Sequence, residues 1–256
     1  MSLSGAKNSK LPDYDDYRME RKEIAAAAGR AAAMIIGIAI LCYNSIWAAI
    51  LLLPYIPWYL RIRKKELKEK RKWELNLQFG DMIKSLSAVL ESGYSVENAI
   101  SEAFNDLKLT YDENAMIMKE LTILINYLRS NVPIESAFEE FARRSGLEDI
   151  KSFSDVFSTA KRTGGNIISI IRSTASVIRT RVELKRELRT MMASKKYESD
   201  IMRMIPFGIL LYLRIFSPEM ISSLYGNAFG IIFMTVILIV YAALSAATDR
   251  MIRISY

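Results

Sequence analysis

Two stretches of this chain carry no charged side chain, Ala31 to Leu60 and Met220 to Thr248, and they bracket a charged block running from Arg61 to Arg203. A helix needs about 20 apolar residues to cross the roughly 30 Å hydrocarbon layer of a bilayer, and both stretches exceed that length. The layout predicts an integral membrane protein with a soluble insert. Composition narrows the chemistry further. Histidine is absent, which removes the commonest general base, the commonest metal ligand and every Ser-His or Cys-His nucleophile pair. The single cysteine, Cys42, lies in the first apolar run, so no intrachain disulfide can form. The residues ahead of that run include Asp13, Asp15, Asp16, Glu20 and Glu23, a pattern unlike a cleavable signal peptide.

Basic residues predict the topology. Arg61, Arg63, Lys64, Lys65, Lys68, Lys70, Arg71 and Lys72 follow the first run directly, and such clusters stay on the cytoplasmic side. One span through residues 31–60 would put the N-terminal basic residues outside, against the same rule. A hairpin turning at Asn44-Ser45 keeps both flanks inside, although its second arm, Ile46 to Leu60, rises only about 22 Å. A single long span or a re-entrant segment is the alternative. The C-terminal part reads as a second hairpin, with arms Ile201 to Phe216 and Ala228 to Ala247. The expected layout is a cytosolic N-terminal segment (1–23), an N-terminal transmembrane hairpin (24–60), a cytosolic bundle (61–203), a C-terminal transmembrane hairpin (204–248) and a cytosolic end (249–256). Arg214 is an intramembrane charge. It either marks a functional position or lies near the outer interface and snorkels toward headgroups or Glu219.

Within the charged block, apolar residues recur at helical spacing. Phe79, Met82, Ile83, Leu86, Val89 and Leu90 form one stripe, with Gly93 as a left-handed stop and Ser95 as the cap of the next helix. A second helix carries Val96, Ala99, Ile100, Ala103 and Phe104, and a third Met116, Leu121, Leu124, Ile125 and Leu128. A fourth opens near Pro133 and stops at Gly146. The fifth, Ile150 to Arg162, ends at Gly164-Gly165, where Asn166 starts a long sixth through Ile171, Val177, Ile178, Val182, Leu184 and Leu188. Six amphipathic helices with short loops make an all-α bundle.

Charge is unevenly spread over that bundle. Residues 73–160 hold fifteen acidic against seven basic side chains, and residues 161–203 hold eleven basic against four acidic. Arg179, Arg181, Lys185, Arg186 and Arg189 give the sixth helix a basic flank. This flank is expected either to meet anionic lipid and pair with the acidic helices, or to dock an acidic partner. The adjacent carboxylates Glu139-Glu140 and Glu148-Asp149 point in different directions on a helix and read as solvated faces, with Glu139 and Glu140 a possible docking pair. Asp112-Glu113 reads as first-turn compensation of a helix dipole. The chain offers no phosphate loop, no cofactor motif and no metal-ligand spacing, so no enzyme activity is expected. Its basic stretches lack interleaved aromatics, so nucleic acid is not an expected partner.

The run NLQFGDMIKSLSAVLESGYSVENAI, then FARRSGLEDIKSFSDVFSTAKRTGGNIISIIRSTASVIRTRVELKREL, then IPFGILLYL resembles the F domain of type II secretion systems. The nearest subgroup by this resemblance is the TadB-like platform proteins of Tad (tight adherence) pili. The likeness spans about residues 73 to 248 and is most specific at Gly164-Gly165-Asn166 and Arg179-x-Arg181. It implies an inner-membrane, multi-pass platform, with a six-helix cytosolic bundle facing a hexameric secretion ATPase. Pilin would be handled in the bilayer, and pairing would be with itself or with a TadC-like second platform subunit. No cofactor is implied. A membrane-bound signalling scaffold is the alternative, although the outer segments are too short for a sensor domain. Arg172 to Ile205 contains no glycine or proline, so the sixth helix can run on toward the membrane as a lever.

Overall fold

A computed structural model of the chain describes residues 11–15, 19, 21–43, 50, 55–163, 167–219 and 227–254. Its described residues form eight α-helices and no strand: α1 (Arg21–Ile38), α2 (Tyr55–Glu91), α3 (Val96–Leu107), α4 (Met116–Arg129), α5 (Ile134–Ser145), α6 (Glu148–Thr163), α7 (Ile167–Phe216) and α8 (Ala228–Ile254). A π-helical turn, Ala39–Tyr43, follows α1. The chain divides into two compact units, one of residues 1–18 and 64–183, the other of residues 19–63 and 184–256.

The first unit is the bundle that the apolar periodicity predicts. Phe79, Met82, Ile83, Leu86 and Leu90 of α2 are buried, as are Ala99, Ile100 and Ala103 of α3 and Leu121 and Leu124 of α4. Aromatic rings join α2, α5 and α6: Phe79 lies 5.9 Å from Phe141 and 5.6 Å from Phe153, and Phe138 lies 5.0 Å from Phe153 and 5.2 Å from Phe157. Such edge-to-face pairs add about 0.5–1.5 kcal/mol each beyond the area they bury.

The helix ends follow local chemistry. Ser95 caps α3 by accepting from the Asn98 amide at 3.3 Å. Gly93 (φ 90°) and Gly146 (φ 58°) both adopt positive φ, the conformation that lets the chain leave α2 and α5 without strain. Ala115, at the N-cap of α4, has no side chain able to cap it. Gln78 of α2 supplies the missing acceptor, taking the Ile117 amide at 3.0 Å. Asp112 and Glu113 precede α4 and do not sit in its first turn, because the helix begins only at Met116. The turn Gly164-Gly165-Asn166 lies outside the described residues.

The apolar stripe of α7 is buried at Ile171 and Ile178 and half-buried at Val182, but Val177, Leu184 and Leu188 are exposed. The expected continuous core face of α7 therefore ends after Val182.

In the second unit, two helical segments are long and apolar enough to cross a membrane, Arg21–Tyr43 and Phe229–Thr248. The Ile201 to Phe216 segment is the C-terminal part of α7, and Tyr55 already belongs to α2. The expected turn at Asn44-Ser45 and most of Ile46–Leu60 lie outside the described residues, as does the span 220–226. Within this unit the Arg214 guanidinium donates to the Ile40 carbonyl in the π-helical turn. A π-turn shifts the hydrogen-bond register and frees backbone acceptors, and a carbonyl in hydrocarbon costs several kcal/mol without a partner. The Tyr241 hydroxyl donates to the Arg203 carbonyl at 2.9 Å, near Pro206, a residue that breaks the backbone ladder of α7.

Candidate functional site

The basic flank on α7 includes residues paired with the bundle's carboxylates and residues that are exposed. Arg181 donates to Asp149 Oδ1 at 2.6 Å, and Asn76 of α2 donates to Asp149 Oδ2 at 2.9 Å. Asp149 is thus buried, at 7 % exposure, and does not belong to a solvated face. Its place in the first turn of α6, where the helix dipole favours negative charge, and its two donors explain why a carboxylate is tolerated there. Arg172 pairs with Glu91 at 2.8 Å, and Lys161 with Glu135 at 3.2 Å. Arg179, Lys185 and Arg186 are exposed on α7. Of the acidic pair, Glu139 is exposed while Glu140 is half-buried and accepts from Arg143 at 2.6 Å. The two carboxylates thus differ in their surroundings, Glu140 being held by Arg143.

Sequence periodicity missed the most constructed polar site in the bundle. Glu120 of α4 is fully buried and takes two hydrogen bonds from Arg144 of α5, at 2.6 and 2.5 Å. The Tyr14 hydroxyl donates to the same carboxylate at 2.9 Å. Arg144 also fixes the backbone of the N-terminal segment on both sides: its guanidinium donates to the Pro12 carbonyl at 3.0 Å, and its own carbonyl accepts the Tyr14 amide at 3.1 Å. The Tyr14 ring is buried in the bundle core beneath the Arg71 guanidinium, 5.3 Å from the ring centroid. Asp15 receives Lys72 at 2.6 Å and Lys68 at 2.9 Å, and Lys72 also donates to the Gly146 carbonyl at 3.2 Å.

The electrostatics of the set are consistent. Burial, then the charge of Glu120, push the Tyr14 hydroxyl far above its ordinary pKa, so it remains a donor. Burial opposes the charge on Arg144, yet its hydrogen bonds to Glu120 outweigh that and raise its pKa. Hydrogen bonds from Lys72 and then Lys68 hold Asp15 down at about 2. The signal for the buried pair was present: Glu120 falls on the stripe of Ile117, Leu121 and Leu124, and Arg144 falls three residues after Phe141 on the apolar face of α5. Nothing periodic flags Tyr14. Among the described residues no cluster of carboxylate or thiol side chains could hold a metal ion.

Residues 82–213 match the family described as type II secretion system (T2SS), protein F. The chain belongs to that family. The match begins within α2 and ends within α7, so it takes in α3 to α6 whole. Members of the protein F family are non-catalytic membrane components of secretion machinery, which accords with an all-α chain carrying two segments able to cross a membrane. No curated protein and no solved structure matches the chain. The N-terminal segment holding Tyr14, the α2 lysines that bind Asp15, and α8 all lie outside the matched region.

Proposed function

We propose that this protein is the inner-membrane platform of a Tad-type pilus-assembly machine, joining a cytosolic hexameric ATPase to extraction and polymerisation of pilin. The observation that carries the reading is the protein F match itself, laid over a bundle whose last helix, α7, runs for 50 residues and holds no glycine or proline over residues 172–205, ahead of Pro206. At about 1.5 Å per residue that stretch is on the order of 50 Å long, and a helix of this kind transmits displacement where a glycine hinge would absorb it. A single protein F domain of this kind works with a second platform subunit, either another copy or a TadC-like relative. Both ends of the chain lie in the cytosol in this reading, with the apolar segments at each end forming hairpins.

The docking faces proposed for these partners are the exposed Arg179, Lys185 and Arg186 of α7 and the exposed Glu139 of α5. Exposed Leu184, Leu188 and Met191 beside the α7 lysine and arginines add apolar area that a protein partner or an anionic lipid surface would cover. Arg189 belongs to the same flank in sequence. Reading the role from genetics is direct: deletion of the chain should abolish surface pili while pilin remains in the membrane. Piliation at wild-type levels in the deletion strain would reject the platform role.

A further inference from the structure

The contacts around Tyr14 make a complete recognition site for a short peptide. Its floor is the buried Glu120–Arg144 pair, which reads the tyrosine hydroxyl and two backbone groups. Its wall is the Arg71 guanidinium over the tyrosine ring. Its rim is Lys68 and Lys72, with side chains 30 % and 15 % exposed, which hold the following aspartate. Gly146 belongs to the rim as well, since a Cβ there would meet Lys72 Nζ at 2.9 Å and Asp15 Oδ1 at 3.2 Å. The segment itself is pre-shaped: the Asp15 amide donates to Asp13 Oδ1 at 2.8 Å, a turn that presents Tyr14 outward from its own backbone. Every contact comes from α2, α4, α5 or the α5–α6 turn, all parts of the same compact unit, and none depends on α7 or the membrane segments.

We propose that this cleft is a peptide-recognition site for an acidic, tyrosine-bearing segment, and that Leu11–Asp15 of the same chain is its resident ligand, docked in cis and displaceable by a peptide of the same chemistry. The ligand is recognised by one buried aromatic, one hydroxyl, two backbone groups and one carboxylate. A site of that kind has the modest intrinsic affinity of a short linear motif, and a tethered occupant gains from an effective concentration in the millimolar range. The inference does not depend on the platform reading, because it concerns how the bundle is completed.

The test uses the full chain in lipid nanodiscs and a fluorescent peptide of residues 10–19. Tyr14→Ala removes the anchor of the resident segment and empties the cleft, so this variant should bind the peptide at least about tenfold more tightly than the wild type, whose cleft is occupied. A peptide carrying Tyr14→Ala should not bind either chain. A folded Tyr14→Ala chain that fails to bind, or equal binding by both chains, would overturn the proposal. A second variant keeps the test decisive if Tyr14→Ala unfolds. Lys68→Glu with Lys72→Glu reverses the rim and leaves the buried pair intact. That chain should prefer a peptide carrying Asp15→Lys over the native peptide by about tenfold, and absence of any such preference would also overturn the proposal.

Discussion

Arg144→Met isolates the energetic weight of the buried polar set. The substitution removes both donors to Glu120, at 2.6 and 2.5 Å, and leaves a fully buried carboxylate with only the Tyr14 hydroxyl as partner. Breaking one side of a buried ion pair costs about 3–5 kcal/mol, chiefly because the remaining charge stays desolvated. For a unit of roughly 140 residues each kcal/mol moves Tm by about 3–4 °C, so the variant should melt about 9–20 °C below wild type. The triple variant Tyr14→Phe, Glu120→Leu, Arg144→Met replaces the charges and the hydroxyl with apolar groups and leaves the half-buried Pro12 carbonyl to find water. It should return to within a few degrees of wild type, since such replacements are often neutral. The assay is thermal unfolding of the detergent-solubilised chain by far-ultraviolet circular dichroism. A loss under about 3 °C for Arg144→Met would mean that Glu120 reaches water and that the pair is not desolvated.

Other consequences can be checked alongside. Gly146→Val forces a β-branched residue into a left-handed conformation and should destabilise the bundle by about 1–2 kcal/mol from backbone strain alone; an unchanged Tm would contradict this. Asp15 has its pKa lowered to about 2 in the folded chain, so its contribution is present above the ordinary carboxylate value near 4 and is lost as pH falls from there toward about 2. Hydrogen-exchange protection of the Tyr14 amide should fall over that window, and Asp15→Asn should remove the dependence. Inserting Gly-Gly beside Met191 should abolish pilus assembly at unchanged protein levels, and normal piliation would sink the lever role of α7.

Much of the bundle was legible because its signals are local. Apolar residues three and four apart marked the helices, Ser95, Gly93 and Gly146 marked their ends, and the charge-free runs marked the apolar segments. Features that depend on distant contacts were not legible. Tyr14 meets Glu120 across 106 residues and lies in a segment with no periodicity, so its burial follows only from the assembled cleft. Gln78 caps α4 from α2, a role that no spacing within either helix encodes. Asp149 looked like half of a solvated carboxylate pair because Arg181 and Asn76 reach it from other helices. Glu120 and Arg144 lay between these cases: opposite charges on two apolar stripes were readable as a buried pair, but their pairing required the packing of α4 on α5.

The central claim, a platform that docks a secretion motor, is tested most directly by photo-crosslinking in native membranes, with crosslinkers at Lys185 and Lys196 on α7 and at Glu139 on α5. A secretion ATPase or a second protein F subunit should be captured from at least one of these faces. Capture of lipid alone at the α7 positions and of nothing at Glu139 would contradict it, leaving the charge asymmetry as an adaptation to the membrane surface.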